Sequence, residues 1–182
     1  KSGATILGIG DAGGFRQFSN SVRMIRRPED LKGLKMRSNG MDTINKTLEA
    51  LGAEVMTVPY NDLYMALKSG AIDGQENPWV NSSGMRFYEV QKYFTEVNYQ
   101  FHPEPFYVNT RWYESLPSEY QEILAECTEE MMKENNRLID ENEVQAMENI
   151  RANAEIYTLS REERQAFVEA TQVVYEEYMD NG

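Results

Sequence analysis

With 182 residues and a formal net charge of −12 from 30 acidic and 18 basic side chains, the chain can bury a sizeable core but repels phosphate backbones and anionic membrane surfaces. A single cysteine, Cys127, and a single histidine, His102, leave no ordinary Cys/His zinc site and no usual nucleophile-histidine pair, and no run approaches the ~20 apolar residues that cross a bilayer. The residue inventory therefore points away from nucleic acid, and no metal or cofactor is expected.

In chain order, "ATILGIG" (4–10) and "QFSNSVRMI" (17–25) read as two strands separated by the glycine-bearing "DAGGF". "RRPEDLKG" is a polar turn before a short strand, "LKMRS". In "GMDTINKTLEALGA", Met41, Ile44, Leu48 and Leu51 recur at helical spacing, and Gly52 is placed to end the helix. "EVMTVPY" is a strand; Asn61 caps a helix over "DLYMALKS", with Gly70 as its stop. The alternation of strand and helix is an α/β signature.

The next stretch, "AIDGQENPWVN" (71–81), reads as a turn, because Asp73 and Gly74 tolerate unusual backbone angles and Pro78 cannot continue a ladder. Gln75, Glu76 and Asn77 carry more donors and acceptors than a turn requires. A short helix from Trp79, a strand "YFTEVNY" and, past two prolines, a strand "PFYVNT" follow. Pro117, Ser118 and Gln121 open a long helix of about 118–152 with a Ser-x-x-Gln capping pattern, whose apolar stripe is Tyr120, Leu124, Cys127 and Met131. Such a length suits a helix spanning two lobes, against a mean of roughly 11–12 residues. Cys127 on that stripe is expected to be buried. His102, before Pro103, is expected in a surface or packing role. "AEIYT" is a last strand, and Ser160 with Glu163 forms a capping box ahead of a final amphipathic helix through Phe167, Val174 and Tyr178.

Two arginines stand out against the acidic background. Arg37 ends the strand "LKMR" ahead of a helix start, and Arg16 lies in the glycine-bearing loop. Ligands gather at the carboxyl ends of strands in open α/β sheets, and a guanidinium there can hold a carboxylate by two parallel hydrogen bonds. A surface arginine paired with one of many acids is the plainer alternative.

"RRPEDLKGLKMR", "LEALGAEVMTVPYNDLYMALKSGAIDGQENP" and "FYEVQKYFTEVNY" together resemble the substrate-binding proteins of tripartite ATP-independent periplasmic (TRAP) transporters, the DctP-like family, over nearly the whole chain. The resemblance implies a two-lobed periplasmic-binding-protein-like α/β fold, a mixed sheet flanked by helices, that closes on an organic acid and delivers it to a TRAP membrane permease. It implies a periplasmic location and no catalysis. It implies that Arg37 makes the bidentate carboxylate contact, that Arg16 adds a second anion contact, that Asn77 gives a polar contact, and that Tyr60 walls the site. Tyr99 and Glu104 are added as hinge-side candidates. Gln75 and Glu76 are expected to fix the loop that carries Asn77.

The family carries a long N-terminal segment, building most of a first lobe, that has no counterpart before Lys1, so the chain is expected to hold the C-terminal portion. Residues 1–102 and 143–182 are expected to form the second lobe, and 103–142 a returning strand and helix segment belonging to the first. With its partner surface absent, this chain is expected to self-associate. Alternatives are a ligand-sensing or interaction module on the same fold and an enzyme using Asp73 and Glu76 as acid and base.

Overall fold

The computed structural model describes residues 2–179. Six strands form one mixed sheet in the order β3-β2-β4-β1-β5-β6. In chain order the elements are β1 (Ala4–Asn20), β2 (Lys35–Ser38), α1 (Asp42–Ala50), β3 (Glu54–Thr57), α2 (Leu63–Ser69), β4 (Gly74–Pro78), α3 (Trp79–Gly84), β5 (Tyr93–Asn109), α4 (Thr110–Glu114), α5 (Ser118–Arg151), β6 (Glu155–Thr158) and α6 (Arg161–Met179). β2 runs parallel to β3 and β4, β1 runs antiparallel to β4 and β5, and β5 runs parallel to β6. The mixed, helix-flanked sheet agrees with the fold class expected from sequence.

Within the stretch 71–81 expected as a turn, Gly74–Pro78 is instead a central strand. Every residue of β4 is buried, including Gln75, Glu76 and Asn77. A polar strand can sit there only because its side chains are satisfied. Gln75 Nε2 donates to Ser19 Oγ at 2.7 Å, Asn77 Nδ2 donates to Gln75 Oε1 at 2.5 Å, and Glu76 is paired with Arg16. Gly74 is required by crowding: a Cβ there would lie 2.6 Å from Met36 Sδ and closer still to the Ser19 carbonyl oxygen.

β1 is also one strand where two were expected. The "DAGGF" stretch is an irregularity in its pairing with β5, between Asp11 and Phe15. Gly13 and Gly14 take φ of 127° and 84°, and Asp11 Oδ1 accepts from both of their amides. β1 stops at Asn20 and does not reach residue 25, because Asn20 Oδ1 accepts from Val22 N and Arg23 N at 2.9 and 2.8 Å and turns the chain. Likewise β5 runs unbroken through both prolines, with His102 in the strand and not in a turn.

Two expected caps do not form. α2 follows a tight turn at Tyr60–Asp62 with no side-chain cap from Asn61. α5 starts after Pro117, and Gln121 donates to the Leu116 carbonyl instead of closing a box with Ser118. Gly70 does end α2, in the left-handed region, and Ser160 and Glu163 do form a reciprocal capping box.

α5 is 34 residues long, as its sequence pattern predicts, but is rotated from the expected stripe. Cys127 is exposed, as are Tyr120 and Met131. The face against β1 is Thr128, Met132 and Asn135, seated over Gly8 and Gly10, where a Cβ would meet Thr128 Cγ2 at 2.9 Å and Met132 Sδ at 2.7 Å. The helix lies close because those glycines leave room for it. Its far end packs Ala146 and Ile150 against Trp79 and Phe94.

The main core, Phe18, Ile25, Met36, Ile44, Leu48, Val97 and Phe167 among others, fills the space between the sheet and helices α1 and α6. A second cluster, Leu63, Leu67, Ile72 and Phe87, seats α2. Residues 4–11 of β1 pair with 103–109 of β5, and residue 102 lies within β5.

Candidate ligand-binding site

The ends of β1, β2 and β4 bring Arg16, Arg37 and Asn77 together with Tyr60 and Tyr99. β1 and β4 are antiparallel, with Arg16 opposite Pro78 and Gln17 opposite Asn77, so the point where β1 begins to pair with β4 meets the end of β4. β2 is parallel to β4 and delivers Arg37 to the same edge, ahead of α1.

The two arginines have different surroundings. Arg16 is buried and forms an ion pair with the fully buried Glu76, its Nε donating to Oε2 and its Nη2 to Oε1 at 2.9 Å. Nη2 also donates to the Glu76 carbonyl at 2.9 Å and to Asn77 Oδ1 at 3.1 Å, and Nη1 meets His102 Nδ1 at 3.2 Å. Tyr99 stacks on Phe18 and donates its hydroxyl to Glu76. Arg37 is equally buried, at 3% exposed, yet no carboxylate pairs with it among the described residues. Its Nε donates to the Val58 carbonyl at 2.8 Å, and its guanidinium carbon stands 6.0 Å from the Tyr60 ring centre. Among the described residues, the terminal fork of Arg37 is left without an acceptor.

Titration follows from this asymmetry. Burial works to lower the Arg16 pKa, but the bonds and charge of Glu76, with Tyr99, outweigh it and the net shift is upward. Burial also lowers Arg37, reinforced by the nearby Arg16 and only partly opposed by Glu76, so its net shift is downward. Tyr99 is pushed well up by burial and by Glu76. His102 is held below its ordinary value by burial and by Arg16.

Of the residues expected from sequence, Arg37, Arg16, Asn77, Tyr60 and Tyr99 converge. Glu104 does not join them: it is exposed on the outer part of β5, opposite Gly10, and acts only as one of the charges felt by His102. Asn77 spends its oxygen on Arg16 and one amide proton on Gln75. Three participants escape a sequence reading. Glu76 is the charge partner of Arg16 where a loop-fixing role was expected; His102 touches Arg16 where a surface or packing role was expected; and the Val58 carbonyl orients Arg37. One acid among thirty gives no signal that it faces an arginine 60 positions earlier. Asp73 is occupied by the Lys35 amide, and no cluster of potential metal ligands occurs among the described residues.

The model of the family described as bacterial extracellular solute-binding protein, family 7 (DctP), matches residues 1–181. The chain belongs to this family. Family relatives include the C4-dicarboxylate-binding periplasmic protein DctP of Vibrio cholerae, 31% identical over 169 residues that cover 91% of this chain and 50% of that protein. Among solved structures, a TRAP periplasmic solute-binding protein from Ralstonia eutropha H16, with bound (S)-2-acetolactate, is 34% identical with a TM-score of 0.91, covering 98% of this chain and 59% of that one. One from Shewanella oneidensis, with bound succinate, is 29% identical with a TM-score of 0.90, over 98% and 58% of the two chains. The chain thus spans about half the length of the curated family members it matches.

Proposed function

We propose that this chain carries one wall of the anion-binding cleft of a TRAP solute-binding protein, and that the whole protein captures a small organic acid outside the cytoplasm and delivers it to a membrane permease. Residues 1–102 and 143–182 serve as the second lobe, and 103–142 as the returning strand and helix segment that belongs to the first. The observation that carries this reading is Arg37: a buried guanidinium with no carboxylate paired to it among the described residues and its terminal fork open. An uncompensated buried cation is costly, and a ligand carboxylate relieves that cost while matching the fork with two parallel bonds. The solved neighbours with bound succinate and (S)-2-acetolactate support a carboxylate as the cargo.

Calorimetry with an organic-acid panel on the protein at its natural length tests the reading. Arg37→Ala is expected to weaken binding by about 2–5 kcal/mol, roughly 30-fold to several thousand-fold. Arg37→Lys is also expected to bind poorly, because an ammonium cannot present a planar fork. Affinity within threefold of wild type for either variant rejects Arg37 as the anchor.

A further inference from the structure

The hydrogen-bond inventory around Arg37 narrows the kind of acid that fits, an inference that rests on the anchor role proposed above. A guanidinium has five N–H donors. Arg16 commits its Nε and both Nη2 protons to Glu76 and Asn77, and one Nη1 proton to His102, so a single Nη1 proton is left over. Asn77 retains one Nδ2 proton after its bond to Gln75. The Tyr60 hydroxyl oxygen is engaged by the Asn81 amide, whose own Oδ1 has no partner, and among the described residues no acceptor takes up the hydroxyl proton. Around the open fork of Arg37 the unspent groups are therefore donors. Asn81 Oδ1, a buried acceptor with no partner among the described residues, is closed off from solvent against Gly13.

Charge restricts the site further. Glu76 cancels Arg16, so among the described residues of the cluster Arg37 is the cation without a paired carboxylate. On the Arg16 side the charges around His102 are Arg16 itself and three acids, Glu76, Glu104 and Asp11. A second carboxylate placed there meets a neutralised arginine and two further acids, the exposed Glu104 and the half-buried Asp11. A neutral acceptor oxygen meets donors and no repulsion.

We propose that this wall selects a 2-oxo monocarboxylate: Arg37 holds the carboxylate through its terminal fork, and the leftover protons of Arg16, Asn77 and Tyr60 meet the adjacent carbonyl oxygen. An amino group at that carbon brings donors to donors and is rejected. A plain alkanoate leaves the donors unmatched once the cleft is dry.

The test measures four acids by calorimetry on the protein at its natural length: 2-oxobutanoate, butanoate, 2-aminobutanoate and succinate. The expected result is 2-oxobutanoate at least tenfold tighter than butanoate and succinate, with no detectable heat from 2-aminobutanoate. Succinate or butanoate binding as tightly as 2-oxobutanoate overturns the selection, and if binding still collapses in Arg37→Gln the anchor role survives alone. Binding indifferent to Arg37→Gln, or no binding of any of the four, overturns the selection together with the anchor role. Glu76→Gln, which restores the charge of Arg16, is expected to raise the succinate to 2-oxobutanoate affinity ratio at least fivefold; an unchanged ratio in a folded variant overturns the charge argument. If circular dichroism shows that variant unfolded, the wild-type ranking decides the matter.

Discussion

At the residue scale, the two arginines are distinguished by what surrounds them. Removing Arg16 leaves Glu76 buried and unpaired, and breaking a buried pair costs about 3–5 kcal/mol of stability. Arg16→Ala is thus expected to act mainly on folding, whereas Arg37→Ala spares folding and removes binding. Urea unfolding of both variants checks this; a stability loss in Arg16→Ala no greater than that in Arg37→Ala contradicts it. The pH response belongs to His102. Its neutral form accepts from Arg16, and its folded pKa lies below the ordinary value of about 6.5. Between those two pKa values the unfolded chain binds more protons, so this histidine's share of stability falls as pH drops below about 6.5 and levels off once pH passes under the folded pKa. Thermal melts from pH 7.5 to 5 are expected to show a steeper decline for wild type than for His102→Gln. Parallel curves, or an imidazole NMR titration at or above 6.5, would refute the contact.

At the element scale, β4 is the piece on which the site depends. It lies between β2 and β1 and supplies both Glu76 and Asn77. Gly74→Ala pushes a methyl into Met36, Asn20 and the Ser19 carbonyl, and overpacking of this kind costs about 1–3 kcal/mol. Because the clash lies at the base of the strand that carries the charge partner of Arg16, ligand affinity is expected to fall along with the melting temperature. A melting temperature unchanged from wild type counts against the crowding described here. At α6, Ser160→Ala removes an N-cap whose hydroxyl accepts from Glu163 N, for an expected loss of about 0.5–2 kcal/mol with binding intact. Denaturant midpoints measure it directly.

At the scale of the whole molecule, the β1–β5 ribbon, α4 and the first half of α5 present large apolar side chains to solvent: Ile6, Ile9, Tyr107, Trp112, Tyr120 and Ile123 are all exposed. Together they make an apolar surface of the sort that finds a partner. The 182-residue chain in isolation is therefore expected to self-associate at micromolar concentration and to bind organic acids weakly, with one wall of the cleft doing the holding. Light scattering, paired with calorimetry on the same sample, separates the two effects. A monodisperse monomer with micromolar affinity would show that this wall suffices.

The sequence alone determined whatever depends on local periodicity and local backbone chemistry. The long α5, the stop at Gly70, the Ser160 capping box and the strand-end position of Arg37 are all readable from neighbours a few residues away. Quoted motifs also carried the family likeness and, with it, the five side chains that converge. Tertiary structure decided what depends on partners distant in the chain. "GQENP" is a strand because Ser19, Arg16 and Tyr99 satisfy its polar side chains from β1 and β5, and no local pattern announces those partners. α5 turns Cys127 outward because Gly8 and Gly10 admit Thr128 and Met132 more closely than any apolar stripe would pack. The unequal roles of Arg16 and Arg37 come from one carboxylate, Glu76, whose pairing is a matter of strand register.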